Sequence, residues 1–126
     1  MRRARGPQLV ETEWSEIVAL VEELNQLGNA VLVEGRTDAE ALMSAGVKCR
    51  VLTLSEFEER VARGEASEVV VLTDLDREGE AHLRRLTRRF GGSVKLLTGP
   101  RERLRRTSRY RRGMRSVSEL FRPPGS

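Results

Sequence analysis

Cysteine and histidine are almost absent from this 126-residue chain: Cys49 and His82 stand alone. A single cysteine excludes an internal disulfide and suits a reducing cytoplasm. One Cys and one His put a structural zinc site out of reach of a single chain. A Ser-His-Asp arrangement would have to use His82, which sits among Ala81, Leu83, Arg84 and Arg85 on an expected helix and reads as a solvated surface residue. No apolar run approaches the roughly 18 residues that a membrane-spanning helix needs. The basic start, Met1-Arg2-Arg3-Ala4-Arg5-Gly6-Pro7, is followed by no apolar stretch, so a signal peptide is not expected. No internal repeat is evident, and the length suits one domain with a sheet-and-helix core.

What is abundant is charge, unevenly placed. Residues 1–5 hold three Arg and no acid, residues 6–98 hold 17 acids and 11 bases, and residues 99–126 hold nine Arg and two Glu. The middle is therefore at −6 and the last segment at +7, within a net charge of +4. An acidic core between arginine-rich ends suggests a polyanionic partner gripped by the ends and a metal held in the core. Charged tails can serve solubility alone. Nine arginines without one lysine after Gly99 favour phosphate, which the guanidinium grips bidentately.

The periodicity alternates between helix and strand. Trp14, Ile17, Val18, Val21, Leu24 and Leu27 recur at helical steps, so an amphipathic helix is expected over about 12–27, closed by Gly28. Apolar runs predict strands at 30–34, 47–54, 69–73 and about 93–97. Thr37-Asp38-Ala39-Glu40 and Ser55-Glu56-Phe57-Glu58 read as capping boxes opening helices that Gly46 and Gly64 end. A helix from about Arg77 to Phe90 stops at Gly91-Gly92. The expected fold is α/β, a Rossmann-like, mainly parallel four-stranded sheet in the order 2-1-3-4, flanked by helices. Residues 1–27 form a basic start and helix, 28–98 the sheet domain, and 99–126 an arginine-rich arm. In that arm Val117, Leu120 and Phe121 could make one apolar helix face.

Three acids stand at strand ends. Glu34 closes Ala30-Val31-Leu32-Val33, and Asp74 and Asp76 follow Val69-Val70-Val71-Leu72-Thr73. Neither run alternates apolar with polar, so both read as strands buried on both faces of a parallel sheet. In open α/β sheets ligands bind beyond the carboxyl ends of the strands. Acids converging there repel one another and call for a cation, and oxygen-only ligands point to Mg²⁺. A plain alternative is that Asp76 caps the helix beginning at Arg77.

Val31-Leu32-Val33-Glu34-Gly35-Arg36-Thr37-Asp38 followed by Val70-Val71-Leu72-Thr73-Asp74-Leu75-Asp76-Arg77-Glu78-Gly79 resembles the Toprim family. Its pattern is a strand ending in Glu-Gly and a later strand ending in Asp-x-Asp-x-x-Gly. The likeness spans about 28–98, and the small size looks like that of the small stand-alone Toprim proteins of archaea and some bacteria. It implies Glu34 as general acid/base, and Glu34, Asp74, Asp76 and Glu78 around one or two Mg²⁺ ions, with Mn²⁺ able to substitute. It also implies Gly35 and Gly79 as turn glycines, with Arg36 and Asp38 extending the first motif. The only tyrosine, Tyr110, lies in the arginine-rich segment and is not expected to be a topoisomerase-type nucleophile. A haloacid-dehalogenase reading of Asp74-Leu75-Asp76 is disfavoured by Arg77 and Glu78 following it.

The expected function is a Mg²⁺-dependent protein acting on nucleic-acid phosphodiesters, nuclease-like, in the cytoplasm. The alternative is a non-catalytic RNA- or DNA-binding accessory subunit. The candidate nucleic-acid contacts are Arg36, Arg77, Arg101, Arg103, Arg105, Arg106, Arg109, Arg111 and Arg112. No membrane partner is expected, and the oligomeric state stays open.

Overall fold

The computed structural model describes the backbone of residues 2–125 and the side chains of residues 12–125. The arginines at positions 2, 3 and 5 therefore lie outside the described side chains. Among the described residues eleven elements follow one another: α1 (Arg2–Leu27), β1 (Ala30–Val33), α2 (Arg36–Ser44), β2 (Val51–Thr53), α3 (Leu54–Ala62) and β3 (Glu68–Val71) come first. Then come α4 (Arg77–Phe90), β4 (Lys95–Leu97), α5 (Gly99–Leu104), α6 (Ser108–Arg111) and α7 (Val117–Leu120). The fold is α/β, with four parallel strands in the order β2-β1-β3-β4, as the alternating periodicity predicts.

Alternate residues of the central strands feed two cores. Val31, Val33, Val70 and Leu72 face a layer made by α1, α2 and the C-terminal helices, with Ile17, Leu24, Leu42, Leu104, Val117, Leu120 and Phe121. Leu32, Val69 and Val71 face Phe57 of α3 and Leu86 and Phe90 of α4, where the two aromatic rings meet edge to face at 5.2 Å. β1 and β3 are thus covered on both sides, which is why neither run alternates with polar residues. Among the described residues no helix is long and apolar enough to cross a membrane.

Several boundaries are tighter than the sequence predicts. β2 begins at Val51 because residues 47–48 finish other elements: Val47 N–H donates to the Leu42 carbonyl and Lys48 N–H to Asn25 Oδ1. β4 begins at Lys95 because the N–H groups of Ser93 and Val94 turn back to the Phe90 carbonyl, closing α4. Both helix starts sit two residues upstream of the predicted caps, with a full capping box only at α3. Asp38 accepts from the N–H of Gly35, the N-cap of α2, and Glu56 from the N–H of Thr53, the N-cap of α3.

The largest difference lies at the C-terminus. Residues 99–125 are not an arm: α5, α6 and α7 pack on the face shared with α1, and Leu104, Val117, Leu120 and Phe121 are essentially fully buried. Arg109 is also buried, donating to the Leu120 carbonyl at 3.1 Å and the Arg122 carbonyl at 2.6 Å, with its guanidinium 5.4 Å from the Trp14 ring. Arginine stems and carbonyl partners here replace the apolar density that the sequence lacks.

Candidate functional site at the carboxyl edge of the sheet

β1 and β3 are hydrogen-bonded neighbours, and the chain departs to opposite sides after them, so their carboxyl ends form the switch point of the sheet. Glu34 leaves β1 there. Its Oε2 accepts from the backbone N–H of Asp74 at 2.9 Å, which ties the two motifs together. Asp74 in turn accepts from Val117 N–H through Oδ1 at 2.8 Å. Asp38, from the first turn of α2, accepts from Ser118 N–H through its Oδ1 at 3.1 Å. Asp76 is the N-cap of α4, accepting from Gly79 N–H at 2.7 Å. The capping role is therefore real for Asp76 and uses only one of its two oxygens.

Burial and crowding show in the acidities. Burial, with smaller contributions from Asp74, Asp76 and Asp38, pushes the Glu34 carboxyl up to about 7 against the Asp74 N–H that favours its charge. Asp74 and Asp38 are also raised, chiefly by burial, and for Asp74 the neighbouring charges of Asp38 and Asp76 add to it. The shared direction of these three shifts is what burial, helped by like charges for Glu34 and Asp74, produces.

His82 is not the free surface residue that the sequence suggests. Its Nε2 lies 3.9 Å from Glu34 Oε1, and Arg85 Nη2 meets its Nδ1 at 2.5 Å. A guanidinium only donates, so Nδ1 accepts and Nε2 carries the proton on the Glu34 side. Chain position does not give this: His82 lies about 1.7 turns beyond Asp76 and meets Glu34 only through the packing of α4.

The loop bearing Asp74 is held from behind. Arg101 is fully buried and donates through Nε to the Thr73 carbonyl at 2.8 Å and through Nη2 to the Asp74 carbonyl at 2.5 Å. Its Nη1 pairs with Glu80 at 2.7 Å, and Arg105 pairs with the same carboxylate at 2.6 Å. Burial pushes Glu80 up, but these two arginines outweigh it and hold Glu80 below the ordinary range. The α4 backbone approaches the same loop closely. A Cβ on Gly79 would lie 1.8 Å from the Asp74 carbonyl oxygen, so only glycine fits. Gly35 differs from its expected role: its backbone is extended, with φ −153°, and a Cβ there would meet nothing.

The remaining candidates separate. Glu78 is exposed on the first turn of α4, with no hydrogen bond or ion pair to the acids among the described residues. Arg36 is exposed and 3.6 Å from Glu56. Most of the C-terminal arginines are already engaged. Arg101 and Arg109 are buried, so neither can meet a phosphate. Arg103 pairs with Glu23, Arg105 with Glu80 and Arg112 with Glu13, while Arg111 donates to the Arg106 carbonyl. Arg77 and Arg106 are exposed, with no side-chain partner among the described residues.

Among the described residues no three His, Cys, Asp or Glu side chains gather tightly enough to cage a metal ion. Glu34, Asp74 and Asp76 each commit one oxygen to a backbone N–H and keep the other. That fits an ion held by one or two carboxylates with water completing its shell, as Mg²⁺ prefers, and not an all-protein cage.

Relatives bear on family and fold. The chain is 30% identical over 107 residues to a UPF0292 protein of Pyrococcus horikoshii, covering 82% of this chain and 80% of that one. It is 29% identical to a UPF0292 protein of Thermococcus onnurineus, over 81% of this chain and 78% of that one. A putative protein from Aquifex aeolicus has the same fold, with a TM-score of 0.66 at 22% identity over 80% of this chain and 94% of its own. No protein-family profile matches the chain. The chain belongs to the UPF0292 family.

Proposed function

We propose that this member of the UPF0292 family is a Toprim-like, Mg²⁺-dependent cytoplasmic protein that acts on nucleic-acid phosphodiesters. The observation carrying this reading is the bond between Glu34 Oε2 and Asp74 N–H, which joins the two motif acids across neighbouring strands at the sheet's switch point. Asp74 and Asp76 would hold the ion with their uncommitted oxygens, Mn²⁺ could replace Mg²⁺, and Glu34 would share the site. A divalent ion held there would supply positive charge for the phosphate oxygens of a bound ester. Glu34, with its acidity near neutral, can hold or release a proton at the working pH. His82 stands beside Glu34 on the α4 side, 3.9 Å from its Oε1. Arg101 and Gly79 fix the loop on which Asp74 is carried.

A second reading, a non-catalytic RNA- or DNA-binding accessory subunit, is favoured by one feature. The carboxylates of Asp74 and Asp76 already hold the N-terminal N–H groups of α7 and α4, so they have a structural role without any chemistry. Cleavage of end-labelled RNA and DNA in Mg²⁺, Mn²⁺ or EDTA, wild type beside Glu34→Gln, decides between the two. Metal-dependent cleavage lost in Glu34→Gln by at least a hundredfold is the expected result, in line with the usual size of general acid–base contributions. Binding without cleavage in any metal makes the protein an accessory subunit. No Mg²⁺-induced rise in melting temperature removes the metal site altogether.

A further inference from the structure

The C-terminal arginines are mostly bound to this protein's own groups, which leaves open where a polyanion would lie. The five basic residues of α4 are all arginine: Arg77, Arg84, Arg85, Arg88 and Arg89. Positions 77, 84 and 88 are seven and four residues apart and return to one side of a helix. Gly79, Leu86 and Phe90 mark the opposite, buried side. All three arginines are exposed, and among the described residues none has a hydrogen bond or ion pair through its side chain. Arg89 is drawn to Glu58 and Arg85 to His82, so the free stripe is Arg77, Arg84 and Arg88, with Arg85 beside it.

Helix stability does not account for this stripe. Arg77 is the first residue of α4, where the macrodipole favours acids. Of the two acids in the helix, Glu80 is taken by Arg101 and Arg105, and Glu78 lies about 100° round the helix from the stripe, with no ion pair to it among the described residues. Three like charges on one face, over about 16 Å of helix axis, repel one another until a partner neutralises them. The face carries no large apolar side chain to enter a lipid surface, as an interfacial helix requires. The stripe begins at Arg77, adjacent in the chain to Asp76 and hence to the acidic site.

We propose that this outward face of α4, through Arg77, Arg84 and Arg88, is the track on which a nucleic-acid backbone lies, leading a phosphodiester to the Glu34–Asp74–Asp76 edge. The choice of nucleic acid as the polyanion rests on the function proposed above; the track itself rests on the unpaired arginines. Contacts of this kind position the strand without reading its sequence.

The test is binding of fluorescein-labelled single-stranded RNA, single-stranded DNA and duplex DNA, by anisotropy over a KCl series in EDTA. Without metal there is no turnover, so the result is independent of whether the acidic site is catalytic. Arg77→Gln/Arg84→Gln/Arg88→Gln is compared with a control of equal charge change on the C-terminal segment, Arg106→Gln/Arg111→Gln/Arg122→Gln. All six are exposed, and thermal melts confirm folding. The α4 variant should bind at least tenfold more weakly, with its log K against log salt slope shallower by roughly 2, at 0.7–0.9 per lost phosphate contact. The control should change less than half as much. Arg84→Glu alone, remote from the acids, should weaken binding severalfold. Equal losses in the two triple variants would reduce the effect to net charge and overturn the track. So would an unchanged slope, absence of nucleic-acid binding by the wild type, or preference for polyglutamate over every nucleic acid. If the track holds while Mg²⁺-dependent cleavage fails, only the catalytic reading falls.

Discussion

Glu34 has an acidity that makes stability depend on pH in an unusual direction. A folded-state value near 7, raised from 4.5, means that the native protein holds this proton more tightly than the unfolded chain does. Stability contributed by the protonated form is therefore full below about pH 4.5 and is lost as pH rises towards 7. At about 1.4 kcal/mol per unit, the ionised carboxylate destabilises the metal-free protein by roughly 2–4 kcal/mol above pH 7. Glu34→Gln keeps an acceptor for the Asp74 N–H and removes the charge. In EDTA it should be more stable than wild type at pH 8 by about that amount and indistinguishable at pH 4. Urea unfolding at the two pH values measures this, and an equal difference at both would mean that Glu34 is not perturbed as described.

At the scale of elements, the site depends on α4 lying almost in contact with the loop that follows β3. Thr73 Oγ1 donates to the Gly79 carbonyl at 2.9 Å, Gly79 N–H donates to Asp76, and no atom separates the Gly79 α-carbon from the Asp74 backbone. Gly79→Ala must displace either the first turn of α4 or the Asp74 loop, at a cost of about 2–3 kcal/mol or more, since the overlap is with backbone. Gly35→Ala, the other motif glycine, should stay within about 0.5 kcal/mol of wild type, because its backbone is extended and the space is open. Chemical denaturation of the two variants side by side gives a contrast that a general intolerance of alanine in the motifs would not. If both cost the same, the close approach of α4 is wrong.

Across the whole molecule, one core face joins the beginning and end of the chain. Ile17 and Leu24 of α1, Val31 and Val70 of the sheet, and Leu104, Leu120 and Phe121 of the last helices belong to a single cluster. Glu13 to Arg112, Glu16 to Ser108 N–H and Glu23 to Arg103 link the same two ends. Deleting residues from 101 onward would thus remove part of the core, and loss of nucleic-acid binding by such a truncation says nothing about phosphate contacts. The full chain should unfold in one transition, with Trp14 fluorescence and far-ultraviolet circular dichroism coinciding. Phe121→Ala should shift both signals together, by about 3–5 kcal/mol. An early fluorescence transition would show α1 and the C-terminal helices to be a separate unit.

The strands, their parallel order and the helix from Arg77 to Phe90 were legible in the residues, because buried parallel strands leave uninterrupted apolar runs and amphipathic helices leave a three- and four-residue rhythm. The strand-end positions of Glu34, Asp74 and Asp76 were legible for the same reason: a carboxylate marks where a chain leaves a buried sheet. What arginine does was not legible. The formula is the same for Arg101, sealed behind the Asp74 loop, for Arg103, paired across to α1, and for Arg84, exposed on α4 without a partner. A guanidinium carries a fixed charge, a long apolar stem and five donors, so its role depends on which carbonyls and carboxylates the fold brings within reach. His82 is likewise ordinary in sequence and becomes Glu34's neighbour only once α4 is laid against β1 and β3. Local periodicity sets the elements because it is a property of neighbouring residues; charge pairing was decided by tertiary structure, because its partners lie up to 99 positions apart, as Glu13 and Arg112 do.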